Sequence, residues 1–192
     1  MLKRAQAKYP ESQIEVWAQD EARLGLIPIV RRVWALRGHR PQALGRRRYQ
    51  WLYLYGFVRP STGEVQWLIL PEVNTVVFQI ALDHFARAIG AGPAKRVLLV
   101  LDGAGWHVAK ELRIPDGIEL VFLPAYSPEL QPAERLWPLI NEALANKAIL
   151  TLDELEDLLV SRCRYLAAQP EILRDHTRFH WWATDGNAKQ IH

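Results

Sequence analysis

Three carboxylates stand in this sequence where an acid is out of place unless it is used. Asp20 closes the alternating stretch Ile14-Glu-Val-Trp-Ala-Gln-Asp20, Asp102 ends the apolar run Arg96-Val-Leu-Leu-Val-Leu-Asp102, and Glu134 follows a loop punctuated by Pro124, Pro128 and Pro132. An isolated buried carboxylate is costly, so each must be paired, hydrogen-bonded or ligated to a cation. Acids drawn close together repel, and a divalent cation between them removes the repulsion. Oxygen donors without cysteine favour Mg²⁺ or Mn²⁺ over zinc. Two such ions about 3.5–4 Å apart can activate a water or a 3′-hydroxyl and stabilise the leaving oxygen of a phosphodiester. Taken by itself, Glu134 is equally well read as a helix cap or dipole partner.

Each acid needs an element to hold it. Alternation from Ile14 places Val16, Ala18 and Asp20 on the apolar face of a strand, with Glu21 on the opposite face as the weaker candidate. The continuous apolar run before Asp102 reads as a central strand covered on both sides, delivering its acid at the C-terminal end where open α/β sheets bind ligands. Between them, Tyr49–Val58 and Glu64–Leu70 form a hairpin about the Pro60–Gly63 turn. Asn74 caps a helix that reaches Gly90. Ile118–Leu123 is a further buried strand leading into the proline loop. Pro132 suits the first position of a helix that carries Glu134 in its first turn and runs to about Ala148, kinked or restarted at Pro138. Thr151 and Glu154 form a capping box for a last helix through about Ala168. Glycines 103 and 105 lack the remainder of a dinucleotide or phosphate-loop fingerprint, so nucleotide binding is rejected there. His107, just beyond, either positions a phosphate or water or acts as a structural hydrogen-bonder.

The 192 residues, 49% of them hydrophobic, suffice for one core and make two domains unlikely on length. No apolar run is long enough to span a membrane and no signal peptide is evident, which places the protein in the cytoplasm. The single Cys163 rules out an intramolecular disulfide and a cysteine-cluster zinc site, and reads as a core filler. The 24 basic and 21 acidic residues nearly balance, but their distribution does not. Between Ala22 and Gly63 there is no acid and there are nine arginines. Arg31, Arg32, Arg37, Arg40, Arg46, Arg47 and Arg48, with Trp34 among them, form the candidate surface for a nucleic acid, phosphates being taken by forked guanidinium groups and bases by the indole. A solvated basic face, with Trp34 anchoring the loop to the core, is the plainer alternative.

Four blocks carry a resemblance: Val16-Trp-Ala-Gln-Asp-Glu21; Trp34 with Arg37-Gly-His-Arg-Pro41; Leu99-Val-Leu-Asp-Gly-Ala-Gly-Trp-His107; and Leu123-Pro-Ala-Tyr-Ser-Pro-Glu-Leu-Gln-Pro-Ala-Glu-Arg-Leu-Trp137. Together they resemble the DDE transposases of bacterial mariner-like insertion sequences, over roughly Ile14 to Ala168. The resemblance implies an α/β, ribonuclease-H-like mixed sheet flanked by helices. It implies that Asp20, Asp102 and Glu134 hold Mg²⁺ (or Mn²⁺), two ions in all, to cleave DNA at element ends and transfer the 3′-hydroxyl into target DNA, within a homodimer. Thirty-one residues separate Asp102 from Glu134, close to the family's interval. Glu21 and His107 are candidates for a supporting shell. Gly103 stands where the family often has Asn, which puts a supporting hydrogen bond in doubt. Family members usually carry helix-turn-helix modules ahead of the catalytic domain, and 13 residues precede Ile14 here, so a separately encoded helix-turn-helix half is expected as a partner. The expected division is a lead at 1–13, a catalytic domain at 14–170 and a tail at 171–192. A ribonuclease or junction nuclease of the same fold, an inactive or domesticated DNA-binding domain, and a two-carboxylate glycosidase are the rival readings.

Overall fold

The computed structural model describes residues 1–39, 48–125, 127–180 and Trp182. A short helix, α1 (Leu2–Lys8), precedes the long strand β1 (Gln13–Gly25). The hairpin β2 (Trp51–Arg59) and β3 (Glu64–Leu70) follows, then α2 (Thr75–Ala88), β4 (Lys95–Leu101) and β5 (Ile118–Phe122). Two 3-10 turns, Pro128–Leu130 and Pro132–Arg135, lead into α3 (Leu136–Leu144), α4 (Leu152–Ala167) and α5 (Pro170–Thr177).

The strands form one sheet in the order β3-β2-β1-β4-β5. β1 pairs antiparallel with β2 and parallel with β4, and β4 pairs parallel with β5, so the sheet is mixed and β1 is its centre. The period-two alternation divides the core between its faces. Trp17, Phe57, Leu99 and Leu101 meet Phe78, Leu82 and Phe85 of α2 on one face. Val16, Ala18, Leu98 and Val100 meet Ala133, Leu136, Ile140 and the buried residues of α4 and α5 on the other. Phe57 and Phe85 stack at 4.3 Å between ring centroids. Cys163 is buried in the second cluster, where burial pushes its thiol up to about 12.

Both expected helix caps form: Asn74 Oδ1 accepts from Val77 N at 2.8 Å and Thr151 Oγ1 from Glu154 N at 3.2 Å. Glu154 Oε2 closes the second cap on Leu150 N instead of the cap residue's own amide. Residues 171–177, assigned to the tail from sequence, belong to the helix that starts at Pro170, and Leu173 and Thr177 are buried against the core. Gly63, at φ +80°, meets the start of that helix, and a Cβ there would collide with Pro170 O. No helix among the described residues is long and apolar enough to cross a membrane.

Candidate functional site

The parallel register brings the first two acids level. Val16 pairs with Leu98 and Ala18 with Val100, and one further step of two residues on each strand reaches Asp20 and Asp102. Asp20 is therefore not at the end of its strand, as the sequence suggested. β1 continues to Gly25 against β2, and Asp20 lies where β4 stops and leaves one side of β1 open. Asp102 is the first residue past β4.

Glu134 reaches the same place from the helical layer. It sits in the 3-10 turn Pro132–Arg135, and α3 begins only at Leu136. This corrects the expected α-helical first turn and its run to Ala148, since α3 ends at Leu144. Pro138 then falls in the first turn of α3, where its missing N–H removes no bond from an α-helix interior. Neither Gln131 before the turn nor Arg135 before α3 caps its helix with a side-chain bond, and Glu134 is the acid of the turn. The turn is anchored by Ala133 and Leu136, both fully buried, and by Gln131, whose Nε2 donates to the Gln19 carbonyl at 2.9 Å. That bond ties the proline loop to β1 one residue before Asp20.

Asp20, Asp102 and Glu134 line one cavity of about 460 Å³, closed by Gly103, Ala104, Leu123, Pro124, Ala125, Ser127, Pro128 and Gln131. Its described lining contains no Lys or Arg. Among the described residues no three His, Cys, Asp or Glu side chains are close enough to share one ion. Each aspartate is turned to a partner of its own. Asp20 Oδ2 accepts from Trp137 Nε1 at 2.7 Å. Burial pushes its carboxyl up, the indole bond opposes this, and the charges of Glu134 and Glu21 add to it, leaving a value of about 7. Asp102 Oδ1 accepts from His107 Nδ1 at 2.8 Å and from Ala104 N at 3.1 Å, and the histidine holds it below the usual carboxylate range. Glu134 is raised by burial and by the charge of Asp102. A carboxyl forced toward neutrality by burial beside other acids, on a cavity with oxygen donors and no lining cation, is chemistry that a divalent cation suits.

His107 and Glu21 also meet, as a pair on the α2 side of the sheet. His107 Nε2 lies 3.0 Å from Glu21 Oε1, and the ring packs on Phe78 at 4.4 Å. Burial pulls the imidazole down, but its bonds to Asp102 and Glu21 outweigh this and hold it at about 9. As a cation it donates from both nitrogens. Only the neutral ring can accept the Trp106 indole N–H, 3.0 Å from Nε2.

The described part of the arginine segment does not line the cavity. Arg31, Arg32, Trp34 and Arg37 are exposed in an arm without regular structure, clipped at its root where Asn146 Oδ1 accepts from Arg31 N at 3.0 Å. Trp34 is fully exposed, so it does not anchor the arm to the core. Arg48 donates to the Leu150 carbonyl at 3.2 Å. Arg40, Arg46 and Arg47 lie outside the described residues.

Two residues of the site escape a reading by chemistry alone. Trp137 reads as a core filler yet holds Asp20. Gly56, paired with Asp20 across β1 and β2, makes room for it: a Cβ there would stand 2.9 Å from Leu136 Cδ1, 3.0 Å from Trp67 Cζ3 and 3.2 Å from Trp137 Cη2. The available signal is a glycine inside an otherwise aromatic strand, which marks a close approach.

Residues 15–156 match the family described as DDE superfamily endonuclease. An uncharacterized protein, y4pE/y4sA, of Sinorhizobium fredii is 36% identical over 121 residues, 62% of this chain and 88% of that protein. An uncharacterized 39 kDa protein of insertion element IS630 from Shigella sonnei is 24% identical over 133 residues, 67% of this chain and 38% of its own length. Among solved structures, a pre-cleavage Mos1 transpososome matches 93% of this chain with TM-score 0.58 and 18% identity. A Mos1 mariner paired end complex with Mn matches 93% with TM-score 0.56 and 17% identity. The chain spans 60% and 61% of those two Mos1 chains. At such identity the likeness is one of fold alone, a ribonuclease-H-like mixed sheet flanked by helices.

Proposed function

This chain belongs to the DDE superfamily endonucleases, and from that premise we propose that it is the catalytic domain of a transposase, cutting DNA at the ends of a mobile element and joining the 3′-hydroxyl to target DNA. The observation that carries the reading is the meeting of Asp20, Asp102 and Glu134 on one cavity, delivered by two neighbouring strands and a proline-fixed turn. These three carboxylates would hold Mg²⁺ or Mn²⁺, two ions in all. When bound, such ions lower the pKa of an attacking water and stabilise the leaving oxygen of a phosphodiester.

The protein's own part is placement. Trp137 orients Asp20, His107 orients Asp102, and Gln131 ties the Glu134 turn to β1. A Cβ at Gly103 or Gly105 would meet nothing within 4 Å, so this edge of the cavity leaves room for a DNA backbone. The same space would accept the asparagine common in the family, so Gly103 forgoes a hydrogen bond without altering packing.

Arg31, Arg32, Trp34, Arg37 and Arg48 would hold DNA outside the cavity, the exposed Trp34 indole being available to stack, and Arg40, Arg46 and Arg47 are proposed as DNA contacts from the sequence alone. The unit proposed for catalysis is residues 14–170, working in the cytoplasm as a homodimer. End recognition would fall to a helix-turn-helix partner.

The test is Mg²⁺-dependent nicking of DNA by the wild type and by Asp102→Asn. Loss of a ligand at such a site removes several kcal/mol of transition-state stabilisation, so a fall of about a thousandfold or more is expected. Equal activity in the two proteins would sink the assignment. Cleavage confined to the RNA strand of a hybrid would move it to a ribonuclease.

A further inference from the structure

We infer that Glu21 and His107 are positioning residues for Asp102, forming a carboxylate–imidazole–carboxylate bridge that sets which oxygen of Asp102 faces the cavity. The inference rests on the metal-dependent reading above. Asp102 lies just past the end of β4, and Gly103 and Gly105 follow it in a loop with open space around both. Its side chain is 58% exposed. A carboxylate so placed would sample several rotamers, and ordering it on ligand binding would cost entropy.

The bridge removes that freedom. His107 Nδ1 and Ala104 N both donate to Oδ1, leaving Oδ2, which makes no hydrogen bond among the described residues, to meet a ligand. The ring is fixed in turn: it packs on Phe78, its side chain is 1% exposed, and Nε2 faces Glu21 Oε1, whose side chain is 7% exposed. Glu21 is on β1 beside Asp20 but on the other face of the sheet. The two strands that present acids to the cavity are thus tied together from behind. Glu21 is a carboxylate adjacent to the site that is committed to the imidazole and not offered to the cavity. Partners of ligating groups behave in this way at metal centres, and their removal typically costs about 10- to 100-fold in affinity or activity.

The experiment measures Mn²⁺ binding by the loss of the free-ion electron paramagnetic resonance signal, with Mg²⁺-dependent nicking alongside, for the full chain and four variants. His107→Leu is expected to weaken Mn²⁺ about 10- to 100-fold and to lower kcat with KM for DNA unchanged. His107→Asn, whose side-chain amide can take over the Nδ1 donation, is expected to recover most of the loss. Glu21→Gln should fall between wild type and His107→Leu. A folded His107→Leu with wild-type Mn²⁺ affinity, or Leu and Asn variants equally impaired, would overturn the bridge. Should the leucine variant fail to fold, wild-type Mn²⁺ affinity in Glu21→Gln would overturn it instead. Asp102→Asn separates this failure from that of the underlying reading: if it binds Mn²⁺ as wild type does, the metal assignment falls and the bridge with it.

Discussion

Asp20 and Asp102 stand level on neighbouring strands, line the same cavity, and occupy opposite surroundings. Asp20 is packed under Trp137 on the α3 side, with Glu134 and Glu21 near it, and its carboxyl is driven up to about 7. Asp102 is largely open to solvent, bonded to an imidazole held at about 9, and is driven down. Position on the sheet does not set the protonation of an acid; what covers it does. Burial without a cation penalises the charged form, while an imidazole in contact rewards it. The site is therefore lopsided, with one acid about half protonated near pH 7 and its neighbour charged.

The largest test of that contrast is Asp20→Asn in chelating buffer. Because the folded-state value lies above the ordinary 3.8, Asp20 weakens the fold as pH rises from about 4 through about 7, by at most roughly 4 kcal/mol. The asparagine variant should thus be more stable than wild type at pH 8, and the gain should vanish below about pH 4. Urea melts across pH check it; a gain that persists in acid would show that the charge on Asp20 is not its origin.

Gly56→Val tests the cover itself. A side chain there collides with Leu136, Trp67 and Trp137, and overpacking of this kind costs about 1–3 kcal/mol. With Trp137 displaced, Asp20 loses its indole donor and should titrate still higher, which the pH of half-protonation seen by carboxyl NMR would report. An unmoved Asp20 would mean that the tryptophan does not hold it.

The smallest effect, with the opposite sign, belongs to Asp102→Asn. Its depressed value contributes stability above the ordinary carboxylate range that is lost as pH falls through the folded value. The raised value of His107 contributes stability that is complete below its ordinary 6.5 and lost as pH rises through about 9. The variant should lose on the order of 1 kcal/mol near pH 7, discounted for the exposure of Asp102, and little at either extreme. A variant more stable than wild type at pH 7 would erase the contrast between the two acids.

Much of the frame was legible because local chemistry decides it. Alternation from Ile14, the apolar run before Asp102, the turn at Pro60–Gly63 and the caps at Asn74 and Thr151 each rest on a few adjacent residues, and each formed in place. The three acids were legible too, since a carboxylate closing an apolar strand has few harmless uses. What failed was read too locally. Pro132 does open the turn and Pro138 does lie in α3, but the turn that carries Glu134 is 3-10 and the α-helix starts only at Leu136 and ends at Leu144. Pro170 to Thr177 has little apolar content of its own and is held by the hairpin it packs against.

The sequence by itself determined which groups are available: three carboxylates, an oxygen-only donor set, a segment of arginines free of acids, and the strands and turn that carry them. Only the tertiary structure decided how those groups stand toward one another. The parallel register of β1 and β4 set Asp20 beside Asp102. The absence of a side chain at Gly56 admitted Trp137, and Glu21 and His107, 86 positions apart in the chain, closed to a single hydrogen bond. Contacts between residues so far apart depend on the whole sheet and both its helical layers, and no local pattern contains them.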